Sequence, residues 1–406
     1  MFFGKSLHKI TATDLEQLVN LSFEEGVSLD FKGHLPDKKI DEKQLEEEWV
    51  RFNKTIGAFA NTKGGIIFVG VHEKNGVASK IEGIEVDNWE RLKQILIQKI
   101  NNAFENSLSG IQFQQILLPS GKSVLILDIP FSLRGPHRVR LREGEHMFVK
   151  RVEANNIEMT TEEIRGAFLR RESWTSQAQN FRMQRIEKVI SSNDGPLSLS
   201  TPAIFIHLLP LGPRNQILNF KDSSVRSAIT SAIKSYENKL NPGSVFFQSP
   251  ERLCFDGIFF RGELISPHAQ HLLITREGQI EFAAFCGHGE DPQSITLCDW
   301  EKITLDVISY PLKFLLDQQV RPPYILYCSI IGVKNRKTST SNIYQIKSSN
   351  GLPRERYDLP GIEIEDLSQE FNEKQINQYL KDQYQPMFDL IWNDLNIAHS
   401  PNSSIN

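Results

Sequence analysis

The residues best able to do chemistry are concentrated before position 152. From Arg134 to Arg151, six cations (Arg134, Arg138, Arg140, Arg142, Lys150 and Arg151) stand against only Glu143 and Glu145 within 18 residues, with His137 and His146 in the same stretch. Arg138, Arg140 and Arg142 alternate at period 2, so a strand would put three guanidinium groups on one face, where their forks suit phosphate oxygens. The bland alternative is a surface strand with scattered ion pairs. Upstream, the run Glu24-Glu25-Gly26-Val27-Ser28-Leu29-Asp30-Phe31-Lys32 sets Glu25 and Asp30 at acid-x4-acid spacing, with Lys32 on the Asp30 face of a strand. Lys32 could contact a phosphate there; equally, these acids could form a solvated surface paired with Lys32. Asn61-Thr62-Lys63-Gly64-Gly65 could wrap backbone N–H groups around a phosphate, with Lys63 beside it, or could only reverse the chain after a helix.

Two further patterns carry no chemistry. Ser120-Gly121-Lys122-Ser123 ends like a phosphate-binding loop, but position 116 is Ile rather than Gly and a strand follows instead of a helix, which excludes nucleotide hydrolysis there. Cys286, His288 and Cys298 lack a Cys-x2-Cys pair to complete a site, so Cys254, Cys286, Cys298 and Cys328 read as core residues and zinc is not expected.

Positioning these groups falls to strongly patterned elements. Thr13-x-x-Glu16 predicts the capping box of a short helix with Leu15, Leu18 and Val19 on one face. Val27 to Lys32 alternates as a strand. Leu45, Trp49, Phe52, Ile56 and Phe59 form one helical stripe that stops at Gly64-Gly65. The apolar run Ile66 to Val71 predicts a strand covered on both faces, and Asn75-Gly76 predicts a hairpin into Val77–Ile81. Asp87-x-x-Glu90 caps a helix bearing Trp89, Leu92, Leu96, Ile100 and Phe104. Strands over 111–118, 123–129 and 147–150, then a helix capped by Thr160-x-x-Glu163 and running through Phe168, complete an α+β domain over residues 1–172.

Residues 173–200, rich in Ser, Gln and Asn, read as a linker with one helix. Residues 201–406 read as a mixed α/β domain of unknown role, a sensor or a second lobe. Its strands fall at 203–209, 258–260, 272–275, 280–285 and 324–333, and its helices at 223–235, 299–317 and 375–395. Pro311 and Pro386 should kink or split the last two helices.

The 406 residues are 39% apolar and 24% charged, ordinary for a globular protein, and the net charge of −4 excludes a polycation that coats nucleic acid indiscriminately. No apolar run suits a signal peptide or reaches the roughly 18 residues of a membrane span. A cytoplasmic protein, neither secreted nor in the membrane, is expected.

Four features in order carry a resemblance: Glu25 to Lys32 with its Leu-Asp-Phe-Lys, Ala58-Phe59-Ala60-Asn61-x-x-Gly64-Gly65 running into a strand that ends Gly70-Val71, the basic segment, and the capped helix at Thr160. Together they resemble the AlbA-like domain from which the Schlafen family core is built, over about residues 14–170. The resemblance implies a domain that handles nucleic acid. In Schlafen nucleases two such units form a horseshoe around base-paired RNA, and three carboxylates with a divalent metal cleave tRNA or rRNA. By that resemblance Glu25 and Asp30 stand at the first two carboxylates, Asp30 in place of the usual glutamate. The third role falls to Glu73, or His72 serves as a metal ligand instead, or the third ligand is missing.

Mg²⁺ or Mn²⁺ would then polarise the scissile phosphate, with no nucleotide cofactor. Lys32, Lys63, Arg138, Arg140, Arg142, Lys150 and Arg151 would hold the nucleic-acid backbone. One unit cannot form a horseshoe, so a homodimer, or a second lobe after residue 200, is expected. The expectation is a metal-dependent endoribonuclease acting on structured RNA such as tRNA, in stress response or anti-phage defence. The alternative is a non-catalytic DNA- or RNA-binding regulator, and a third possibility is a sensor half controlling the first.

Overall fold

A computed structural model of the chain describes residues 7, 10–36, 41–142, 144–191, 197–212, 218–240, 251–264, 268–287, 294, 295, 297–318, 320, 322–338, 351–364 and 373–400. The architecture is α+β, divided into two units, Met1–Trp174 and Thr175–Asn406.

In the first unit, helix α1 (Ala12–Asn20) is capped at Thr11, two residues before the predicted Thr13. The Thr11 N–H and hydroxyl both donate to Asp14 at 2.8 Å, so the shorter carboxylate three residues on supplies the cap instead of Glu16. Strand β1 (Leu29–Lys32) runs parallel to β2 (Gly65–Val69), which follows helix α2 (Glu42–Thr62). Phe52, Ile56 and Phe59 of the predicted stripe are buried. Gly64 ends α2 at φ +74°, where a Cβ would lie 2.7 Å from the Ile129 carbonyl oxygen, so only glycine fits this reversal.

The hairpin of β3 (Val71–Lys74) and β4 (Val77–Ile81) turns through Asn75 and Gly76, both at positive φ. Helix α3 (Trp89–Ala103) is capped not by Asp87 but by Asn88, whose Oδ1 accepts from the Arg91 N–H at 2.9 Å. Strands β5 (Gln112–Leu117) and β6 (Ser123–Ile129) complete a sheet of order β1-β2-β6-β5. Alternation divides its side chains between two cores. Ile67, Val69, Leu125 and Leu127 meet α2 and α3, while Phe31, Phe68, Val124 and Ile126 meet Leu15 and Leu18 of α1.

A smaller antiparallel sheet, β7 (Arg138–Arg140), β8 (His146–Val152) and β9 (Asn155–Glu158), follows. The capping box at α4 (Thr161–Ile190) forms as predicted, with the Thr160 N–H donating to Glu163 at 2.9 Å. The helix then runs on past Phe168 to Ile190. The Ser, Gln and Asn there are its surface, and no Pro or Gly interrupts 169–190 to stop it.

The second unit contains β10 (Ala203–Pro210), α5 (Ser223–Leu240), β11 (Arg252–Leu253), β12 (Gly257–Leu264), β13 (His268–Thr275), β14 (Ile280–Phe285), β15 (Ser294–Ile295), α6 (Leu297–Asp317), β16 (Tyr324–Ile331), β17 (Lys337–Thr338), β18 (Arg356–Asp358), β19 (Ile362–Ile364) and α7 (Glu373–Asn393). Its main sheet has order β11-β12-β13-β14-β10-β16-β18, with β19 also on β16 and every pairing antiparallel. On one face Ile229, Leu312, Leu315, Phe388 and Trp392 of α5, α6 and α7 bury Tyr324, Leu326, Cys328 and Ile330. Pro311 and Pro386 lie inside α6 and α7 without splitting them.

On the other face Ile186 and Val189 of α4 cover Phe205 and Ala283. There the buried Glu281 carboxylate accepts from Arg185 (2.9 and 2.7 Å), His207 Nε2 (3.0 Å) and His271 Nε2 (2.9 Å). Cys286 and Cys328 are buried thiols, and burial pushes Cys328 up to about 12. His288 and the Cys298 side chain lie outside the described residues. Among the described residues no helix is long and apolar enough to cross a membrane.

Candidate nucleic-acid site

Strand β1 delivers Asp30 into the protein rather than to solvent. It is 2% exposed, and its Oδ1 accepts from Arg151 NH2 at 2.8 Å while Lys32 Nζ bonds Oδ2. Arg151, on β8, is 3% exposed and bonds several groups at once. It donates to the carbonyls of Gly26 (3.0 Å) and Leu29 (3.4 Å) and to Asn156 Oδ1 (2.9 Å), and it lies 5.0 Å over the Phe59 ring. Asn156 passes the chain of bonds to Thr55 of α2 at 2.9 Å. One buried carboxylate thus sits between two cations.

Glu25 is half-buried and accepts from the Phe31 N–H at 2.9 Å. Burial pushes its carboxyl up, and the nearby Asp30 charge adds to that, against the bond from Phe31 and the charges of Lys32 and Arg151. Glu25, Asp30, Lys32 and Arg151 line one cavity of about 320 Å³, together with His34 and Arg51. Arg51 is exposed on α2 and its guanidinium makes no ion pair among the described residues; His34 stands 3.7 Å from Glu48. Arg51 went unread in the sequence because it falls on the polar side of the α2 stripe, where an arginine is commonplace.

His72 and Glu73 do not line this cavity. Glu73 turns onto its own hairpin, where Oε2 accepts from the Gly76 N–H at 2.6 Å. His72 packs against Gly33 and stands 3.4 Å from Glu82, whose carboxyl Lys80 and Lys122 hold down at about 2. Among the described residues no group of three or more His, Cys, Asp or Glu side chains is placed to hold a metal ion. The described residues therefore do not fit the three-carboxylate centre that the resemblance implied. A divalent ion at Asp30 would have to compete with Arg151 at Oδ1 and with Lys32 at Oδ2.

The basic segment also differs from the row of arginines the alternation predicted. Strand β7 ends at Arg140, so Arg142 lies beyond it and reaches α2, pairing with Glu47 at 2.6 Å and donating to the Lys43 carbonyl at 2.8 Å. Arg138 pairs with Glu105 at 3.1 Å, and Lys150 pairs with Glu163, whose carboxyl that bond pulls down. Arg140 is exposed and makes no ion pair among the described residues, and Lys63 is exposed at the end of α2. Glu143 lies outside the described residues.

Asn61 is buried and structural. Its Nδ2 donates to the carbonyls of His137 (3.0 Å) and Val149 (2.9 Å), and its Oδ1 accepts from the His137 N–H at 2.6 Å. It thereby ties α2 to β8 and to the segment entering β7. Asn61→Ala strands three backbone groups and should cost about 2–4 kcal/mol, read as a lower urea midpoint for the full chain.

An α+β unit with a polar cavity beside a parallel strand pair is thus the class of protein the first unit defines. Residues 25–160, about a third of the chain, match the Schlafen, AlbA_2 family model, and the first unit carries that domain. The family match supports nucleic-acid binding. No curated protein matches the sequence. Among solved structures, the N-terminal domain of a RecG-related protein from Nitrosomonas europaea is 16% identical with a TM-score of 0.26, covering 37% of this chain and 93% of that one. The DIP2311 protein from Corynebacterium diphtheriae is 16% identical with a TM-score of 0.23, covering 52% of this chain and 30% of that one. At these values neither likeness bears on what this chain does.

Proposed function

We propose that the first unit is a nucleic-acid-binding module that takes a backbone phosphate at the mouth of the Lys32–Arg51 cavity and does not cleave. The observation that carries this is the pairing of the charges. Asp30 is held inside the fold by Arg151 and Lys32, Glu73 closes a turn, and Arg51 is a cavity cation with no ion pair among the described residues. Arg140, which also makes no ion pair among the described residues, would add a second backbone contact. Structured RNA such as tRNA is the proposed ligand class. In a gel-shift titration with total tRNA, Arg51→Ala should weaken binding and lower the slope of log K against log salt by about 1, as one lost phosphate contact does. An unchanged slope would remove Arg51 from the interface.

A hydrolytic reading is favoured by one feature, the half-buried Glu25 carboxyl that burial pushes up beside Lys32. Such a group can exchange a proton near neutral pH more readily than an ordinary glutamate. Incubating tRNA with the protein in Mn²⁺, Mg²⁺ or EDTA separates the two readings. Intact tRNA in all three conditions is the result expected of a binding module. Discrete fragments that disappear with Glu25→Gln would establish cleavage.

A further inference from the structure

The second unit holds a larger cavity, about 560 Å³, walled by the Phe181–Lys188 stretch of α4 and by the turns that join β11 to β12 and β13 to β14. That volume lies in the range of small-molecule sites. Phe255 at its rim is 96% exposed, a large aromatic side chain that the fold does not bury. Arg276 is fixed through its backbone, whose N–H donates to the Asp256 carbonyl at 3.0 Å. Its guanidinium lies 5.9 Å over the Phe220 ring and makes no ion pair among the described residues.

The other cations on the wall are matched, Arg185 by Glu281 at 2.7 Å and Lys188 by Asp256 at 4.0 Å. Glu277, the remaining acid, has a partner of its own. Thr275 Oγ1 donates to Gln279 Oε1 at 3.3 Å and accepts from the Gln279 N–H at 3.0 Å. Thr275 thus fixes the Gln279 side chain, which lines the cavity. Gln184 offers a second amide from α4.

A flat apolar surface, amides that can read a polar edge and one guanidinium with no ion pair among the described residues together match a specific chemistry. We propose that this cavity binds a nucleotide, its base stacked on Phe255, its base edge on Gln279 and its phosphate on Arg276. A free mononucleotide and the 5′-phosphorylated end of a strand share that chemistry. Stacking on an exposed aromatic side chain and a charge-assisted bond to phosphate are each strong enough to detect singly.

The test is calorimetric titration of the full chain with the four nucleoside 5′-monophosphates and with a tetranucleotide bearing a 5′-phosphate or a 5′-hydroxyl. Saturable binding of a phosphorylated probe is expected. Phe255→Ala and Arg276→Gln should each weaken it about tenfold. Phe255 is exposed, so its removal leaves the fold intact, and an unchanged thermal midpoint checks this for both variants. Binding of a mononucleotide identifies a free ligand; binding of the 5′-phosphorylated tetranucleotide alone identifies a strand end. The proposal is overturned if no phosphorylated probe binds by about 1 mM, or if either variant keeps wild-type affinity.

Discussion

Arg151→Ala should cost the first unit about 3–5 kcal/mol, the loss seen when one partner of a buried ion pair is removed. The substitution leaves the Asp30 carboxylate buried with Lys32 alone, and it also removes donors from the carbonyls of Gly26 and Leu29 and from Asn156. Segment-resolved hydrogen exchange of the full chain would show protection falling across β1, β2 and β8, with the second unit unchanged. The double variant Arg151→Met with Asp30→Leu should be less destabilised than Arg151→Ala, because the charge it leaves without a partner is Lys32, which reaches solvent, and not a buried carboxylate. If Arg151→Ala unfolds at the wild-type urea midpoint, the pair does not hold the fold. The same experiment separates stability from binding, since Arg151, a cation in the basic segment, is here a structural residue.

The second large effect belongs to Glu281. Burial alone would push its carboxyl up, but the bonds from Arg185, His207 and His271 outweigh burial and hold it well below the usual carboxylate range. Glu281→Ala leaves the Arg185 guanidinium buried without its partner and should cost the second unit about 3–5 kcal/mol. Stability should also depend on pH with a definite sign. Burial pushes His207 down, so its imidazole stays neutral while the unfolded chain takes up a proton near pH 6.5. The unfolded state then binds more protons, and stability falls as the pH drops below that value, by about 1.4 kcal/mol per pH unit for one such histidine. The depressed Glu281 carboxyl adds a second loss below about pH 4.3, where an unfolded glutamate protonates and the folded one does not. Urea midpoints of the second unit that are equal at pH 7.5 and pH 5.5 would contradict the assignment of a neutral buried His207.

What could be read from the residues alone was whatever repeats locally. The stripe of Phe52, Ile56 and Phe59, the Asn75-Gly76 turn and the unbroken apolar run after Gly65 each carry their own period or turn chemistry, and each forms as its pattern indicates. Where a helix start had competing acceptors close by, as at Asp14 and Asn88, spacing pointed to the right helix and the wrong capping residues. The site was legible as a set of charges and not as an arrangement. Asp30 and Arg151 are 121 positions apart, and Arg142 finds Glu47 from 95 positions away. Pairings of that separation leave no period in a sequence, because the charge of a side chain is encoded locally while its partner is chosen by the packing of distant strands and helices. Tertiary structure therefore decided that Asp30 is held by a guanidinium, that Glu73 closes a hairpin, and that the cavity cation without an ion pair among the described residues is Arg51, on a helix whose pattern was otherwise fully explained by its core.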